Sequence, residues 1–196
     1  RTNFKYSLMA GKVIILCAPS GSGKTTLAKY LLSIKELDLK FSVSATTRKK
    51  RDGEKDGLDY NFLSIDEFKN RIYNNEFVEF EEVYDNIFYG TLKSEIKSLI
   101  INYNIIFDVD VVGALSLKQY FSSNSLTVFI NPPSIGELEN RLRRRKNNFE
   151  EDLIERLDKA EKEMKMKDKF DKIIINNDLN KSKDEIFSIV KDFLNK

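Results

Sequence analysis

The sequence predicts an α/β fold with a parallel sheet at its centre, and three observations support this prediction. Short apolar runs alternate with stretches of helical periodicity along most of the chain. The runs lack the polar alternation of half-exposed strands, so we expect helices to cover both faces of the sheet. A glycine-rich loop ending in Gly-Lys-Thr joins the first apolar run to the first helical stretch, as in strand–loop–helix units that bind phosphate.

Four apolar runs are predicted as buried strands, and each leads into a predicted helix. The strands are residues 12–17, 104–109, 126–130 and 172–176. The helices are residues 23–33, 111–121, 134–146 and 181–195. Two Ser-x-x-Glu patterns, Ser134 with Glu137 and Ser182 with Glu185, predict capping boxes at the last two helix starts.

Residues 41–92 break this rhythm and are predicted to form a small β-rich insertion. Short alternating runs at 41–44, 59–63, 76–83 and 87–89 predict strands, with one helix capped by Ser64 and Glu67. The remaining segments, 1–40, 93–146 and 170–196, then form the core. This division places the insertion between two units of the parallel sheet.

The highly charged segment 147–169 is predicted to be a separate helical piece. Its apolar residues form a narrow stripe of Leu153, Leu157, Ala160 and Met164, which predicts a helix packed on one side only. A solvated surface helix and a mobile lid both fit this pattern.

Composition excludes several classes of chemistry. The 196 residues hold no histidine and one cysteine, Cys17, which we expect to be buried. Ser-His-Asp and Cys-His catalysis, internal disulfides, and metal sites built on histidine or several cysteines are therefore excluded. Carboxylates, lysine, arginine and backbone amides remain as the chemical groups.

Charge and hydropathy set the expected partners and compartment. Lys+Arg minus Asp+Glu is 33 − 31, or +2, which predicts no general attraction to nucleic acid or membrane. No stretch approaches the roughly 18 apolar residues of a membrane helix. The longest early apolar run, 13–18, is strand-sized and has no signal-peptide pattern. We expect a cytoplasmic monomer, with a dimer as the alternative.

The loop from Ala18 to Thr25, APSGSGKT, matches the Walker A pattern except that alanine replaces its first glycine. Its backbone N–H groups and the following helix N-terminus favour phosphate. Lys24 reaches the β- and γ-phosphates of a nucleotide, and the Thr25 hydroxyl is a ligand for Mg²⁺. The alternative is a plain glycine-rich turn. The predicted ATP-binding residues of the loop are Ser20, Gly21, Ser22, Gly23, Lys24, Thr25 and Thr26.

Two aspartates, Asp108 and Asp110, stand at the carboxyl end of the predicted strand 104–109. Ligands of open parallel sheets bind at this edge. Asp108 is therefore predicted as a second Mg²⁺ ligand beside Thr25. Asp110 has the additional interpretation of a helix N-cap.

Arginines concentrate in the insertion, at Arg48 and Arg51, and around the basic run 141–146, with Arg156 beyond it. Arginine suits bidentate binding of phosphate, and the phosphate loop makes a phosphate clamp the favoured interpretation. A nucleic-acid patch and a plain solvated helix end are the alternatives for residues 141–146.

Together these residues resemble the guanylate kinase family over nearly the whole chain, from about Lys12 onward. The most specific block runs from Phe41 to Arg48 (FSVSATTR), followed by Arg51, Gly53, Glu54 and the DYNF sequence 59–62. Further matches in order are the FVE sequence 77–79, Tyr89-Gly90, the DVD sequence 108–110, the PPS sequence 132–134 and Arg141-Leu142. Val112 and Asn177 depart from the family pattern, as Ala18 does.

The resemblance implies a P-loop kinase core, a GMP-binding insertion and a helical lid. It implies in-line, Mg²⁺-dependent phosphoryl transfer from ATP to GMP or dGMP in purine nucleotide metabolism, with the lid closing over the substrates. The competing hypotheses are a phosphopeptide-binding scaffold domain, a kinase for another monophosphate, and a regulatory GTP-binding protein.

The resemblance also assigns the site residues. Ser44, Glu79 and Thr91 would bind guanine, whose adjacent N1–H and N2–H₂ donors suit a carboxylate. Asp110 would contact the nucleoside side of GMP. The GMP phosphate would be held by Arg48, Arg51, Tyr60 and Tyr89, with Gly90 beside them. Catalysis would fall to Lys24, Arg48, Arg141, Arg145 and Arg156, with Arg145 also over adenine and Asn176 reading the adenine edge.

Overall fold

The computed structural model describes residues 11–144 and 150–196. Five parallel strands form the central sheet in the order β2-β7-β1-β8-β9. Their bounds are β1 Val13–Cys17, β2 Leu39–Phe41, β7 Asn104–Val109, β8 Ser125–Asn131 and β9 Lys172–Ile175.

Helices cover both faces of this sheet, as the continuous apolar runs predict. On one face Ile14 and Leu16 pack against α1 (Lys24–Ser33) and α7 (Leu179–Leu194). On the other, Val13, Ile15 and Cys17 pack against α3 (Lys93–Leu99) and α4 (Val111–Phe121). All five side chains of β1 are fully buried. The phosphate loop therefore leaves the sheet from a rigid central strand.

A second sheet of four strands in the order β4-β3-β6-β5 forms the insertion. It comprises β3 (Ala45–Thr46), β4 (Asn61–Phe62), β5 (Phe77–Tyr84) and β6 (Ile87–Leu92). Helix α2 (Ile65–Tyr73) covers it through Phe68, which stacks on Phe77 at a centroid distance of 4.4 Å. The insertion therefore has a small hydrophobic core of its own.

Helices α5 (Ile135–Arg143) and α6 (Glu150–Met164) pack on each other at the edge of the core. Leu153 and Ala160 of the predicted stripe are buried against Leu138 and Leu142 of α5. The charged segment is thus a helix packed along one face, as its narrow stripe predicts.

Three details differ from the sequence-based expectation. Strand β2 ends at Phe41 and pairs with β7 in the central sheet, so it crosses the expected boundary at 40/41. Helix α3 was not predicted. The C-terminal helix is capped by Asp178, which accepts from the N–H groups of Asn180 and Lys181, and not by Ser182. Ser182 lies inside the helix and is buried. The Asp178 cap uses two donors at once, so the helix begins earlier than the Ser-x-x-Glu pattern suggests.

The capping box at Ser64, the helix cap at Ser134 and the burial of Cys17 are confirmed, but the Glu137 side chain accepts from Arg141 and does not complete a box at α5. Ser64 and Glu67 form a complete capping box at α2, and Ser134 accepts from the N–H of Glu137 at α5. Cys17 is buried. Within residues 11–144 and 150–196, no helix is long and apolar enough to cross a membrane.

Candidate active site

A cleft of about 710 Å³ opens at the carboxyl ends of β1 and β7. One wall is the phosphate loop, and a second is the side of the four-stranded sheet that carries Glu79 and Glu81 of β5. Helix α6 forms a third wall. The lining residues that the sequence had singled out are Ser20, Gly21, Ser22, Gly23, Lys24, Thr25, Thr26, Ser44, Arg51, Tyr60, Glu79, Tyr89, Gly90, Asp108, Asp110 and Arg156. Most of the residues that line this cleft were therefore predicted from the sequence, although they lie far apart along the chain.

The phosphate loop has the backbone that its glycines predict. Gly21 and Gly23 have φ of 96° and 91°, a region that favours glycine, and Gly23 leads directly into α1. Ala18 is buried, and the described non-glycine residues with positive φ, which are Asp38, Asn75, Asn86 and Ser122, do not include it. Alanine at this position therefore needs no strained backbone, and the departure from the Walker A pattern leaves the loop intact.

Lys24, Thr25 and Asp108 form one group at the floor of the cleft. Lys24 Nζ donates to Val109 O at 2.6 Å and forms an ion pair with Asp108. Thr25 Oγ1 donates to Asp108 Oδ2 at 2.9 Å. Burial works against the Lys24 charge, but the Asp108 carboxylate outweighs it and holds the pKa of Lys24 above its ordinary value. Lys24 is therefore a fixed positive charge beside the phosphate loop.

Asn176 lies behind the loop, at the end of β9. Its Nδ2 donates to Ser22 O at 2.7 Å, and it is 5% exposed. A Cβ added to Gly23 would collide with the same nitrogen. Asn176 is not among the residues that line the cleft, so the structure places it against the loop backbone.

A carboxylate wall faces the phosphate loop from the four-stranded sheet. Glu79 of β5 pairs across the sheet with Thr91 of β6, and Thr91 Oγ1 donates to Glu79 Oε1 at 2.6 Å. Burial raises the pKa of Glu79 to about 7, although the Thr91 hydrogen bond opposes the shift. Thr91 is fully buried, so it orients the Glu79 carboxylate from behind, and Ser44 lines the cleft nearby.

Arg48 is held at one side of this wall by several partners. Its Nη1 and Nη2 donate to both oxygens of Glu54, at 3.1 and 2.7 Å, and its Nε donates to Tyr89 Oη at 3.2 Å. Its guanidinium also lies 5.3 Å from the centroid of the Tyr60 ring. Since Nη1 also donates to the Lys49 carbonyl, one N–H of Nη2 remains for a ligand. Arg51 lines the cleft beside this cluster, and its N–H donates to Glu54 Oε2 at 2.8 Å.

Asp110 has both of the roles considered for it. Its Oδ1 accepts from the N–H of Gly113 at 2.8 Å and caps α4, and the residue also lines the cleft. Burial disfavours its charge, but hydrogen bonds from the Glu81 carboxyl and from Gly113 outweigh this and hold the pKa of Asp110 below its ordinary value.

Sequence reasoning missed the lining residues Glu81, Lys159 and Glu163. Burial raises the pKa of Glu81 to about 8 and that of Glu163 to about 7. Lys159 Nζ lies 3.7 Å from Asp110 Oδ2 and 3.8 Å from Glu163 Oε1. The alternation of side chains along a strand puts Glu81 on the same side of β5 as Glu79. Helical spacing likewise puts Lys159 and Glu163 on the same face of α6 as Arg156.

The predicted arginines divide into three cases. Arg156 of α6 lines the cleft. Arg141 does not; its Nε donates to Glu137 Oε1 at 2.9 Å and its Nη2 donates to Asn176 O at 3.1 Å. Arg145 lies outside the described residues.

These groups combine an anion-binding loop and cations at one end of the cleft with a carboxylate that accepts donors at the other. The part of the chain that the structure describes holds no cluster of three or more Cys, Asp or Glu arranged for a metal ion. Thr25 and Asp108 supply a hydroxyl and a carboxylate, the hard oxygen donors that Mg²⁺ takes together with phosphate oxygens and waters. The donor set fits Mg²⁺ held jointly with a nucleotide.

The comparisons with known proteins agree with this geometry. The family model described as guanylate kinase matches residues 10–195. A guanylate kinase of Bacteroides thetaiotaomicron is 48% identical over 99% of this chain and 96% of its own, and that of Porphyromonas gingivalis is 48% identical over 94% and 99%. The crystal structure of guanylate kinase from Anaplasma phagocytophilum superposes with a TM-score of 0.78 at 30% identity, over 95% of this chain and 87% of that one.

Proposed function

The chain belongs to the guanylate kinase family and phosphorylates GMP at the expense of ATP, and we propose that this transfer takes place in the cleft described above. The observation that carries the proposal is the position of two different sites on opposite walls of one cleft. The phosphate loop faces the Glu79 wall, so a nucleotide bound at each would meet between them. Residues 41–92 then serve as the GMP-binding unit, residues 147–169 as the lid, and the remainder as the core.

ATP occupies the phosphate-loop side. The loop N–H groups and the α1 N-terminus bind its phosphates, and Lys24 turns from Asp108 towards the β- and γ-phosphates. Thr25 and Asp108 would hold Mg²⁺, which would supply neutralisation of the charge on the transferring group. The hydrogen bond between Thr25 and Asp108 supports this assignment because it places both ligands within reach of one ion.

GMP occupies the opposite wall. The Glu79 carboxylate accepts the N1–H and N2–H₂ groups of guanine, and the Ser44 hydroxyl donates to O6. Thr91 is buried behind the lining of the cleft and holds Glu79 in place through its 2.6 Å hydrogen bond. Adenine presents an acceptor at N1, so it would leave the buried carboxylate without a partner, which is the strong form of discrimination.

Transfer itself needs no general base. A GMP phosphate oxygen, already anionic near neutral pH, attacks the γ-phosphorus of ATP, and the bond to the ADP oxygen breaks. Lys24 and Arg156 stabilise the charge that develops, while Arg48, Arg51, Tyr60 and Tyr89 align the attacking phosphate. The lack of histidine is consistent with this mechanism because no proton has to be removed from the nucleophile.

Glu54 is expected to matter for GMP although it touches only Arg48 and Arg51. Glu54→Gln removes the charge from the bidentate contact, so Arg48 is less well aimed, and KM for GMP should rise about tenfold with KM for ATP unchanged. Steady-state kinetics with each substrate varied tests this. The matched control is Glu76→Gln, which alters a surface Glu–Arg pair with Arg71 and should leave both constants unchanged. Equal rises in both KM values would contradict the assignment.

GMP binding should strengthen as pH rises through 7. Burial raises the pKa of Glu79 to about 7, and guanine donors need the ionised form, so protonation below pH 7 competes with GMP. Kd for GMP should be about tenfold higher at pH 6 than at pH 8 from this group alone. Calorimetric titration at both pH values measures it. Glu79→Gln is the control, since it removes the titration of Glu79 and keeps that of the GMP phosphate and of the other cleft carboxyls, and an identical pH profile in both proteins would refute the role of Glu79.

A monomer in the cytoplasm is the state we propose for the enzyme. The described walls of the cleft come from one chain, so the transfer needs no second copy. Size-exclusion chromatography with light scattering measures the oligomeric state, and a dimer whose dissociation abolishes activity would contradict the proposal.

The function is tested by coupling ADP release to a colour reaction with ATP, Mg²⁺ and AMP, GMP, dGMP, IMP, UMP or CMP. Turnover should be at least about 10³-fold faster, as kcat/KM, with GMP than with AMP, UMP or CMP. Preference for another monophosphate would overturn the base assignment but keep a kinase. GMP binding without turnover would favour the scaffold interpretation.

A further inference from the structure

We propose that Asn176 is a positioning residue that ties the phosphate loop to Arg141 and so aligns both for phosphoryl transfer. This inference rests on the proposed function, because it concerns the same transfer. It differs from the role that the family resemblance implies for Asn176, which is to read the edge of adenine. The observations that carry it are three hydrogen bonds of one buried residue and its close approach to Gly23.

Asn176 connects three elements of the core. Its side-chain Nδ2 donates to Ser22 O of the phosphate loop at 2.7 Å, and its backbone N–H donates to Asn131 O at the end of β8 at 2.9 Å. Its own carbonyl accepts from Arg141 Nη2 of α5 at 3.1 Å. The central sheet therefore fixes Asn176, and Asn176 in turn fixes the loop and the arginine.

The loop depends on this contact because the Ser22 carbonyl is buried there. A buried carbonyl that loses its hydrogen bond is destabilised, and the loop would shift to find another donor. Gly23 makes the approach possible, since any Cβ at that position would occupy the space of Asn176 Nδ2. Glycine is therefore required before Lys24 for two reasons. The backbone there has a positive φ, and the Asn176 amide occupies the space that a side chain would need.

Arg141 is held at two points. Glu137 accepts from its Nε at 2.9 Å, and the Asn176 carbonyl accepts from its Nη2. These contacts orient the guanidinium relative to the same residue that holds the phosphate loop. Arg141 contacts the backbone carbonyl of Asn176, whereas the phosphate loop contacts its side chain. A side-chain change at Asn176 should therefore disturb the loop directly and Arg141 through movement of the shared backbone, although Asn176 does not line the cleft.

The position of the amide distinguishes this role from adenine recognition. A residue that reads adenine changes the preference for ATP over other donors when it is lost. A residue that positions the phosphate loop and Arg141 changes turnover with every donor by a similar factor, since these groups act on the phosphates that all donors share.

The first test compares Asn176→Ala with Asn177→Ala, the neighbouring exposed asparagine, using ATP and GTP as donors to GMP. Asn176→Ala should lower kcat about 10- to 100-fold with both donors and keep the ATP-over-GTP ratio of kcat/KM within about twofold. Asn177→Ala should resemble the wild-type enzyme. An unchanged kcat, or a collapse of the ATP preference with little loss of kcat, would overturn the proposal.

The second test is a double-mutant cycle with Arg141→Ala. Asn176→Ala keeps the carbonyl that Arg141 contacts, so coupling requires that loss of the Ser22 contact moves the backbone at this position. If it does, removing the arginine should lower kcat by a clearly smaller factor in the Asn176→Ala background than in the wild-type enzyme. Two losses that simply multiply would contradict the coupling.

Asn176→Asp keeps the shape of the side chain but places an oxygen against Ser22 O, so it should lose turnover like Asn176→Ala even if the alanine variant folds poorly. Retained GMP binding, measured by calorimetry, confirms the fold of each variant. A wild-type enzyme that does not phosphorylate GMP would refute the proposed function, whereas an active wild type with fully active Asn176 variants would refute only this inference.

Discussion

Lys24→Ala should lower kcat by about 10³-fold, and it should weaken the binding of ATP more than the binding of GMP. Lys24 supplies the fixed positive charge at the floor of the cleft, and Asp108 holds that charge in the group that also contains Thr25. Alanine removes the charge at the transferring phosphate, and the Asp108 carboxylate then repels the incoming nucleotide. Initial rates at saturating ATP and GMP measure the loss.

The matched control is Lys29→Ala, an exposed lysine of the same helix that does not line the cleft. It should leave kcat unchanged, which excludes a general effect of lost charge on α1. GMP binding by Lys24→Ala should stay within about twofold of the wild type, because the GMP wall belongs to the other sheet. If Lys24→Ala keeps most of its kcat, the phosphate loop does not bind the transferred group.

Glu79→Gln should lower kcat/KM for GMP by about 10²-fold and reduce the preference for GMP over AMP by a similar factor. The carboxylate accepts two guanine donors at once, whereas the amide has only one acceptor and directs a donor at the other. Thr91 still holds the side chain in place, so the change isolates the charge and the hydrogen-bonding pattern. Parallel kinetics with GMP and AMP measure the preference.

Glu82→Gln is the control for this prediction, since Glu82 lies on the same strand but is exposed and caps a turn through Asn86. It should leave the preference unchanged. An unaltered preference in Glu79→Gln, with Glu82→Gln equally unaltered, would show that another group reads the base.

The parts of the fold that sequence patterns predicted well are those fixed by local chemistry. The fully apolar run of β1 and the glycine pair of the phosphate loop have few alternative structures, and the Ser64 capping box is a complete local motif. The predicted start of the last helix was wrong because the sequence offers two possible N-caps close together. Asp178 accepts two backbone donors and prevails over Ser182.

Most of the predicted site residues line one cleft because they sit in the phosphate loop, at strand ends or on one side of a sheet or helix. The described exceptions are Arg48, Thr91, Arg141 and Asn176, which do not line it. Sequence patterns do not show which side chains form hydrogen bonds when they are distant along the chain. Thr91 matches the family pattern as a base contact, yet its hydroxyl is taken by Glu79, which only the register of β5 on β6 shows. Asn176 likewise gains its position from β9, 154 residues along the chain from Ser22. Glu81 and Glu163 line the cleft because of where β5 and α6 lie in the fold. Neither residue belongs to a motif, so only their spacing from Glu79 and Arg156 indicates them.

In the proposed mechanism, the two walls of one cleft bring ATP and GMP together for direct transfer. The most direct measurement follows the γ-phosphoryl label of ATP in the presence of GMP and Mg²⁺. The label should appear in the β-phosphate of GDP, in step with ADP formation and with little free phosphate, since closure excludes water. Label released as inorganic phosphate, at a rate that does not depend on GMP, would contradict the account.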